Sequence, residues 1–302
     1  MWFKNLQIYL LTKPFELDSE ALHDRMLEKS ARACGSLEMS TIGWQSPLGR
    51  SGSQLTHAVG KCIMVCARKD EKVLPAAVVR EVLADRVAEI EEAEDRKVRR
   101  REQGEMRDEI MQDLLPKAFS KSALTYAYID TKNEWLVVDA ASPKRAEELI
   151  SLMRETLGSF QVRPVQVNLS PAAVMTAWLS GHPSDEFLLQ DECERRDPVE
   201  EGAIVRCRRQ DLEGDEITTH LKAGKQVVRL SLNWGERLSF VFTEDMSVKR
   251  LKFLDVIQEQ AAEAEAEDAA TRFDVDFSLM TLELERFLPH LFEAVGGIAE
   301  AQ

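Results

Sequence analysis

Strand pairs and helices alternate along this chain in hairpin-then-helix blocks, and the blocks lack the regular spacing of a βαβ repeat. That order favours an α+β fold with mixed antiparallel sheets over a doubly wound parallel sheet. Residues 2–12 alternate loosely between apolar and polar side chains and read as a strand. Asp18 is positioned to cap a helix running to about Ala33. Residues 34–54, with Gly35, Gly43, Pro47, Gly49 and Gly52, read as short strands and loops, and Leu55–Val59 and Lys61–Ala67 as strands paired around Gly60.

From Ala76 the pattern turns helical, with Pro75 suited to the first turn. Val79, Val82, Leu83, Val87 and Ile90 form one apolar stripe, which fades into the almost wholly charged stretch Glu91 to Arg101. A helix that is polar all round projects into solvent or meets a partner. Gly104 is the expected break, and a second helix carries Met106, Ile110, Met111, Leu114 and Leu115 up to Pro116. We therefore expect a protruding helical arm at 76–121, a central α+β region from 1–75 and 122–168, and a C-terminal α+β region at 169–302.

Beyond the arm, Thr125–Ile129 and Trp135–Asp139 predict a hairpin, and Ser142-Pro143 opens a helix through Leu157 closed by Gly158. Phe160–Val167 reads as extended and Pro171–Leu179 as a short helix. Phe187–Leu189 and Ala203–Arg208 read as strands flanking an acidic loop, and Asp215–Ala223 as a helix. Val227–Leu232, Leu238–Phe242 and Ser247–Phe253 predict a three-stranded meander. Gln258–Ala270 reads as a solvated acidic helix or linker, and Phe277–Val295 as a final helix kinked or restarted at Pro289.

Composition bounds the function. The 302 residues are 44% hydrophobic, enough for full cores, and no run approaches the ~18 apolar residues of a membrane helix. The N-terminus lacks the features of a signal peptide, so a cytoplasmic protein that does not enter the membrane is expected. Five scattered cysteines do not suggest a disulfide framework. On a strand, Cys62 and Cys66 stand about 13 Å apart, too far to share one zinc ion. They read as buried thiols.

Net charge is −14, which by itself argues against a nucleic-acid partner. The charge is segregated, however, and a ligand responds to the local field. Residues 81–95, 185–201 and 253–302 carry −6, −6 and −10, whereas 96–121 and 206–252 each carry +3.

Catalytic signatures are missing. The stretch Gly43 to Ser51 is one residue too long for a phosphate loop and has arginine in place of lysine; it reads as a surface loop. There is no nucleophile elbow, no zinc-protease motif and no dinucleotide fingerprint. The histidines have no metal-ligand spacing, and Glu147-Glu148 reads as a solvated face. No enzyme activity, cofactor or metal is expected.

Two basic clusters remain. Arg96, Lys97, Arg99, Arg100 and Arg101 lie on the arm, where acids nearby in sequence could pair with them. Arg206, Arg208 and Arg209 lie in Val205-Arg206-Cys207-Arg208-Arg209-Gln210-Asp211-Leu212. Strand alternation puts Arg206, Arg208 and Gln210 on one face and Arg209 on the other. Arginines side by side repel unless they meet anions, which phosphate oxygens or the acids of 191–201 could supply.

At these residues the chain resembles the RdgC family. The resemblance is carried in order by Trp2-Phe3-Lys4-Asn5-Leu6, Ala67-Arg68-Lys69-Asp70-Glu71-Lys72-Val73-Leu74-Pro75, Leu114-Leu115-Pro116-Lys117-Ala118-Phe119-Ser120, Arg206-Cys207-Arg208-Arg209-Gln210-Asp211-Leu212, His220-Leu221-Lys222-Ala223-Gly224-Lys225, Val248-Lys249-Arg250-Leu251-Lys252-Phe253 and Phe273-Asp274-Val275-Asp276-Phe277. It implies a curved protomer in a ring-shaped homodimer that encircles duplex DNA. It also implies sequence-independent binding of double- and single-stranded DNA, antagonism of RecA, and association with the nucleoid. The expected DNA-binding set is Arg206, Arg208, Arg209, Gln210, Lys222, Lys225, Lys249, Arg250, the five arm residues above, Lys117 and Lys121. Phe119 is either a core aromatic or, by the resemblance, a subunit contact. The rival to DNA binding is an acidic regulator or DNA mimic that touches a recombinase directly.

Overall fold

The computed structural model describes residues 1–181, 184–199, 202–212, 214, 224–264 and 268–300. The helix expected at 215–223, Lys222 included, lies outside the described residues. The fold is α+β, with antiparallel strand pairing throughout the registers below and seven α-helices among the described residues. The chain forms two compact units, one of Met1–Arg25, Ser46–Val65 and Thr125–Gln302, the other of Met26–Gln45 and Cys66–Leu124.

In the larger unit β1 (Gln7–Leu11) pairs on one side with β6 (Trp135–Val138) and on the other with β7 (Val162–Pro164). The end of β5 (Phe119–Asp130) joins β6 through Ala127–Asp130. β3 (Thr56–Val59) forms a hairpin with the start of β4 (Cys62–Val73), turning at Gly60 with φ +58. A second, five-stranded sheet has the order β12 (Val248–Phe253), β11 (Leu238–Thr243), β10 (Gln226–Trp234), β8 (Phe187–Arg196), β9 (Ile204–Arg208). The expected meander is thus present, extended by two strands.

Packing in this unit centres on the last helix, α7 (Ala269–Ala294). Phe277, Met280, Leu284, Phe287, Leu288 and Leu291 recur at three- and four-residue steps and are buried. Phe287 lies 5.0 Å from Phe240 and 5.4 Å from Trp234 between ring centroids, and Phe292 lies 5.7 Å from Trp135. Fully burying each such side chain contributes roughly 1.5–3 kcal/mol. The helix begins at Ala269 rather than Phe277 because the Asp268 carboxylate caps it, accepting the Thr271 N–H at 2.7 Å. It also continues through Pro289 without a restart. Pro289 is exposed, so the carbonyl it deprives of a donor can be hydrated. Buried Glu283 on α7 accepts two hydrogen bonds of 2.6 Å from Arg237, fastening the turn between β10 and β11 to the helix.

α1 (Ser19–Met26) starts where Asp18 accepts the Ala21 N–H at 2.8 Å, but ends well before Ala33 in a 3-10 turn. α4 (Pro143–Leu157) and α5 (Pro171–Leu179) keep their expected bounds, with Gly158 at φ +76 closing the former. α6 (Asp255–Glu263) is a short helix in the acidic, alanine-rich stretch.

In the smaller unit β2 (Ser40–Gln45) pairs with β4 from Ser40↔Glu71 to Gln45↔Cys66. Gly43 is required there. A Cβ would come within 2.7 Å of the Ala31 Cα and the Lys29 carbonyl, where the chain crosses to give the Trp44 carbonyl the Ala31 N–H. The arm is an elbow of two helices, α2 (Ala76–Glu94) and α3 (Arg100–Leu114). The break falls at 95–99 rather than at Gly104, which sits inside α3 in open space. Asp95 adopts left-handed φ (+47), Glu91 accepts the Val98 N–H at 2.9 Å, and Val98 is buried. A buried valine among charges fixes the turn more firmly than glycine favours one. Residues 119–121, assigned to the arm by sequence, open β5 instead.

Candidate functional site

The acidic segment expected as a loop is strand β8. Its acids alternate with inward side chains: Cys193 and Arg195 are buried, whereas Glu192, Glu194 and Arg196 share the other face. β9 pairs along it with Cys193↔Cys207 at the centre, flanked by Glu192↔Arg208 and Glu194↔Arg206. Opposite charges therefore stand across from each other, the pairing that stabilises antiparallel strands.

Further arginines join from the meander. Arg206 Nε donates to Glu194 Oε2 at 2.8 Å, and Arg229 Nη1 on β10 lies 3.9 Å from the same oxygen. Arg250 sits where β12 slips register against β11, with left-handed φ of +52. From there its side chain reaches β8, where the guanidinium donates to both oxygens of Glu192. These residues, with Arg208, Val241 and the two cysteines, line an open cavity of about 180 Å³. Four guanidiniums face two carboxylates, a local excess of two positive charges. The hydrogen bonds from Arg250 hold the Glu192 carboxyl below the usual carboxylate range, so it remains a charged acceptor.

The remaining expected residues disperse. The strand ends at Arg208, so the alternation drawn through Gln210 does not hold: Arg209 takes left-handed φ (+52). Arg209 and Gln210 line a separate cavity of about 450 Å³ with Asp191 and Asp211, where acid outweighs base. The Gln210 N–H donates to the Asp191 carbonyl. Lys225 is largely buried, its ammonium donating to the Ala203 carbonyl at 3.4 Å and lying 3.9 Å from Asp197. Lys249 is half-buried near Asp245.

On the arm, Arg96 makes a fork to Glu102 at 2.7 and 2.8 Å and also meets Glu94. Lys97 pairs with Glu91 at 3.2 Å and Arg101 with Glu105 at 3.1 Å, while Arg99 and Arg100 are exposed. Phe119 is 86% exposed, which removes the core reading. Lys117 is exposed beside it, and Lys121 lies 3.4 Å from Glu71.

Glu192 and Glu194 fall among the acids of 191–201 expected as possible partners of Arg206 and Arg208, whereas sequence reasoning missed Arg229. For Arg229 the signal is an arginine between buried Val228 and Leu230. Gly43–Gln45 belong to β2, so they do not form a phosphate loop. His23 accepts the Leu55 N–H, and His57 lies 3.1 Å from Asp274. Burial pushes the Cys62 thiol up to about 12. Among the described residues no three His, Cys, Asp or Glu side chains gather as a metal site, and no helix is long and apolar enough to cross a membrane.

Residues 1–298 match a family model described as "Putative exonuclease, RdgC". The chain is similar to the "Recombination-associated protein RdgC" of Aeromonas hydrophila, 46% identical over 298 residues, or 98% of each chain. It is likewise similar to proteins of that name from Pseudomonas syringae pv. syringae, at 47% over 299 residues, and from Pseudomonas aeruginosa, at 46% over 299; both alignments cover 98% of each chain.

Proposed function

Because the chain belongs to the RdgC family, we propose that it binds double- and single-stranded DNA through backbone phosphates, without sequence preference, and so restrains RecA-mediated recombination. The observation that carries this reading is the cluster of Arg206, Arg208, Arg229 and Arg250 on the open face of a sheet, in excess over Glu192 and Glu194. Guanidinium forks match phosphate oxygens, which carry no sequence information. The recombination-associated name of the relatives supports the DNA setting, and a nucleoid location would follow from it. The working form is a ring-shaped homodimer around duplex DNA. The exposed Phe119 supports a subunit contact at the start of β5.

In this reading the chain occupies DNA and cuts nothing. Titration of two unrelated duplexes tests it. The two should bind alike, and affinity should fall by orders of magnitude from ~50 to ~200 mM salt if six or more phosphates are contacted. Salt-insensitive binding, or strong preference for one duplex, would overturn it. Inhibition of RecA without any DNA binding would instead favour the acidic regulator, which the net charge of −14 supports. Exonuclease action, the second reading, has the family description behind it. Release of nucleotides from end-labelled duplex in the presence of Mg²⁺ would establish it.

A further inference from the structure

We propose that Glu192 and Glu194 are built-in phosphate mimics, occupying the arginine cluster when DNA is absent and thereby lowering its affinity for DNA. The proposal rests on the DNA-binding reading above. Its starting point is geometric. Arg250 presents both terminal nitrogens to the two oxygens of Glu192, the same fork that guanidinium offers a phosphate. Arg208 stands directly across the strand pair from Glu192. Glu194 holds Arg206 at 2.8 Å and faces Arg229 at 3.9 Å. Each carboxylate thus stands against two of the four guanidiniums.

An incoming phosphate must displace a carboxylate to gain full contact with an arginine. The displaced carboxylate stays tethered to β8, well inside a Debye length of about 10 Å, and repels the phosphate that replaced it. Glu192 therefore opposes binding both by occupying donors and by its field. The same charge has a reason to be there: without the carboxylates, four guanidiniums would crowd one sheet face and strain the folded state. Removing Glu192's charge should then move affinity and stability in opposite directions. A glutamate that only positions Arg250 would move both downward.

The counterion balance sharpens this. An arginine already neutralised by glutamate releases few condensed ions of its own, and the freed carboxylate takes up cations from solution. The salt slope of the unmodified protein should therefore understate its phosphate contacts.

The experiment compares full-length Glu192→Gln and Glu194→Gln with the unmodified protein, using a labelled duplex of unrelated sequence and thermal unfolding without DNA. Glu192→Gln should bind about two- to fivefold more tightly at low salt, the range for loss of an exposed ion pair. Its salt dependence should steepen by about one unit, and its Tm should fall. Glu194→Gln should change in the same directions and serves as an independent check if Glu192→Gln folds poorly. Unchanged or weaker binding by folded variants overturns the proposal. Arg206→Ala/Arg208→Ala separates the two failures. If it binds DNA normally, the DNA-binding reading of the cluster fails. If it binds weakly while the glutamine variants gain nothing, only the mimicry fails.

Discussion

The arm and the five-stranded sheet both carry clustered arginines, but they dispose of the charge in different ways. On the arm, Arg96, Lys97 and Arg101 find partners two to six residues away in sequence: Glu94, Glu102, Glu91 and Glu105. On the sheet, the partners lie 12 residues away for Arg206 and 58 for Arg250. The helical pairs nearly cancel one for one, as acids and bases interleaved along one stretch must. The sheet gathers its arginines from three strands and its carboxylates from one, so base outnumbers acid. A dense basic run is therefore a weaker sign of an anion site than a few arginines brought together by register.

The sharpest way to break this comparison is to remove charge from the sheet. Arg206→Ala/Arg208→Ala should weaken binding of every DNA sequence by about a hundredfold or more, given roughly 1.5–3 kcal/mol per hydrogen bond to a charged group. The salt slope should drop by less than the roughly two units of two free phosphate contacts, because both arginines face a glutamate before DNA binds, and inhibition of RecA should fall in parallel. Retained inhibition with lost DNA binding would mean direct contact with RecA. Next in size is Phe119→Ala, which asks whether the smaller unit contributes through assembly rather than charge. Loss of a buried aromatic at a subunit contact should raise the dimer dissociation constant about tenfold or more, measured by sedimentation, with cooperative unfolding retained. An unchanged association constant would place the contact elsewhere. The smallest effects should come from Arg99→Ala/Arg100→Ala/Arg101→Ala on the arm and from Arg209→Ala in its acid-rich cavity. Each should weaken binding less than about threefold at ~100 mM salt, since exposed or locally paired charges contribute little. A loss on the arm matching that on the sheet would reverse the comparison.

Much of the fold was legible wherever local chemistry and tertiary packing agree. The Gly60 hairpin, Pro171–Leu179 and the helix closed by Gly158 need no distant partner to define them. β8 was not legible, because a strand bearing Asp191, Glu192 and Glu194 is stable only when a basic strand lies across from it. The elbow at Asp95 was equally hidden: Val98 looks like one apolar residue in a charged run until its burial is seen. Of the site, the shared face of Arg206 and Arg208 followed from alternation. Arg229 came in through strand order, its local mark being only its place between two apolar residues, and Arg250 joined Glu192 through a register slip that leaves no local mark.

The segment leading into the first strand of the larger unit has a consequence for biosynthesis. Leu6 exchanges backbone hydrogen bonds with Val248, and the Lys4 carbonyl receives the Leu251 N–H. The leading end of the nascent chain must therefore wait for a partner some 240 residues behind it, roughly 10–50 s at ordinary bacterial elongation rates. The α2–α3 elbow, made entirely from Ala76–Leu114, has no such wait and can form while the ribosome is still at work. During that interval apolar Phe3, Leu6 and Ile8 have no finished core to enter. Polypeptides released early, short of Val248, should consequently retain the arm but be prone to aggregate through their N-terminal segment.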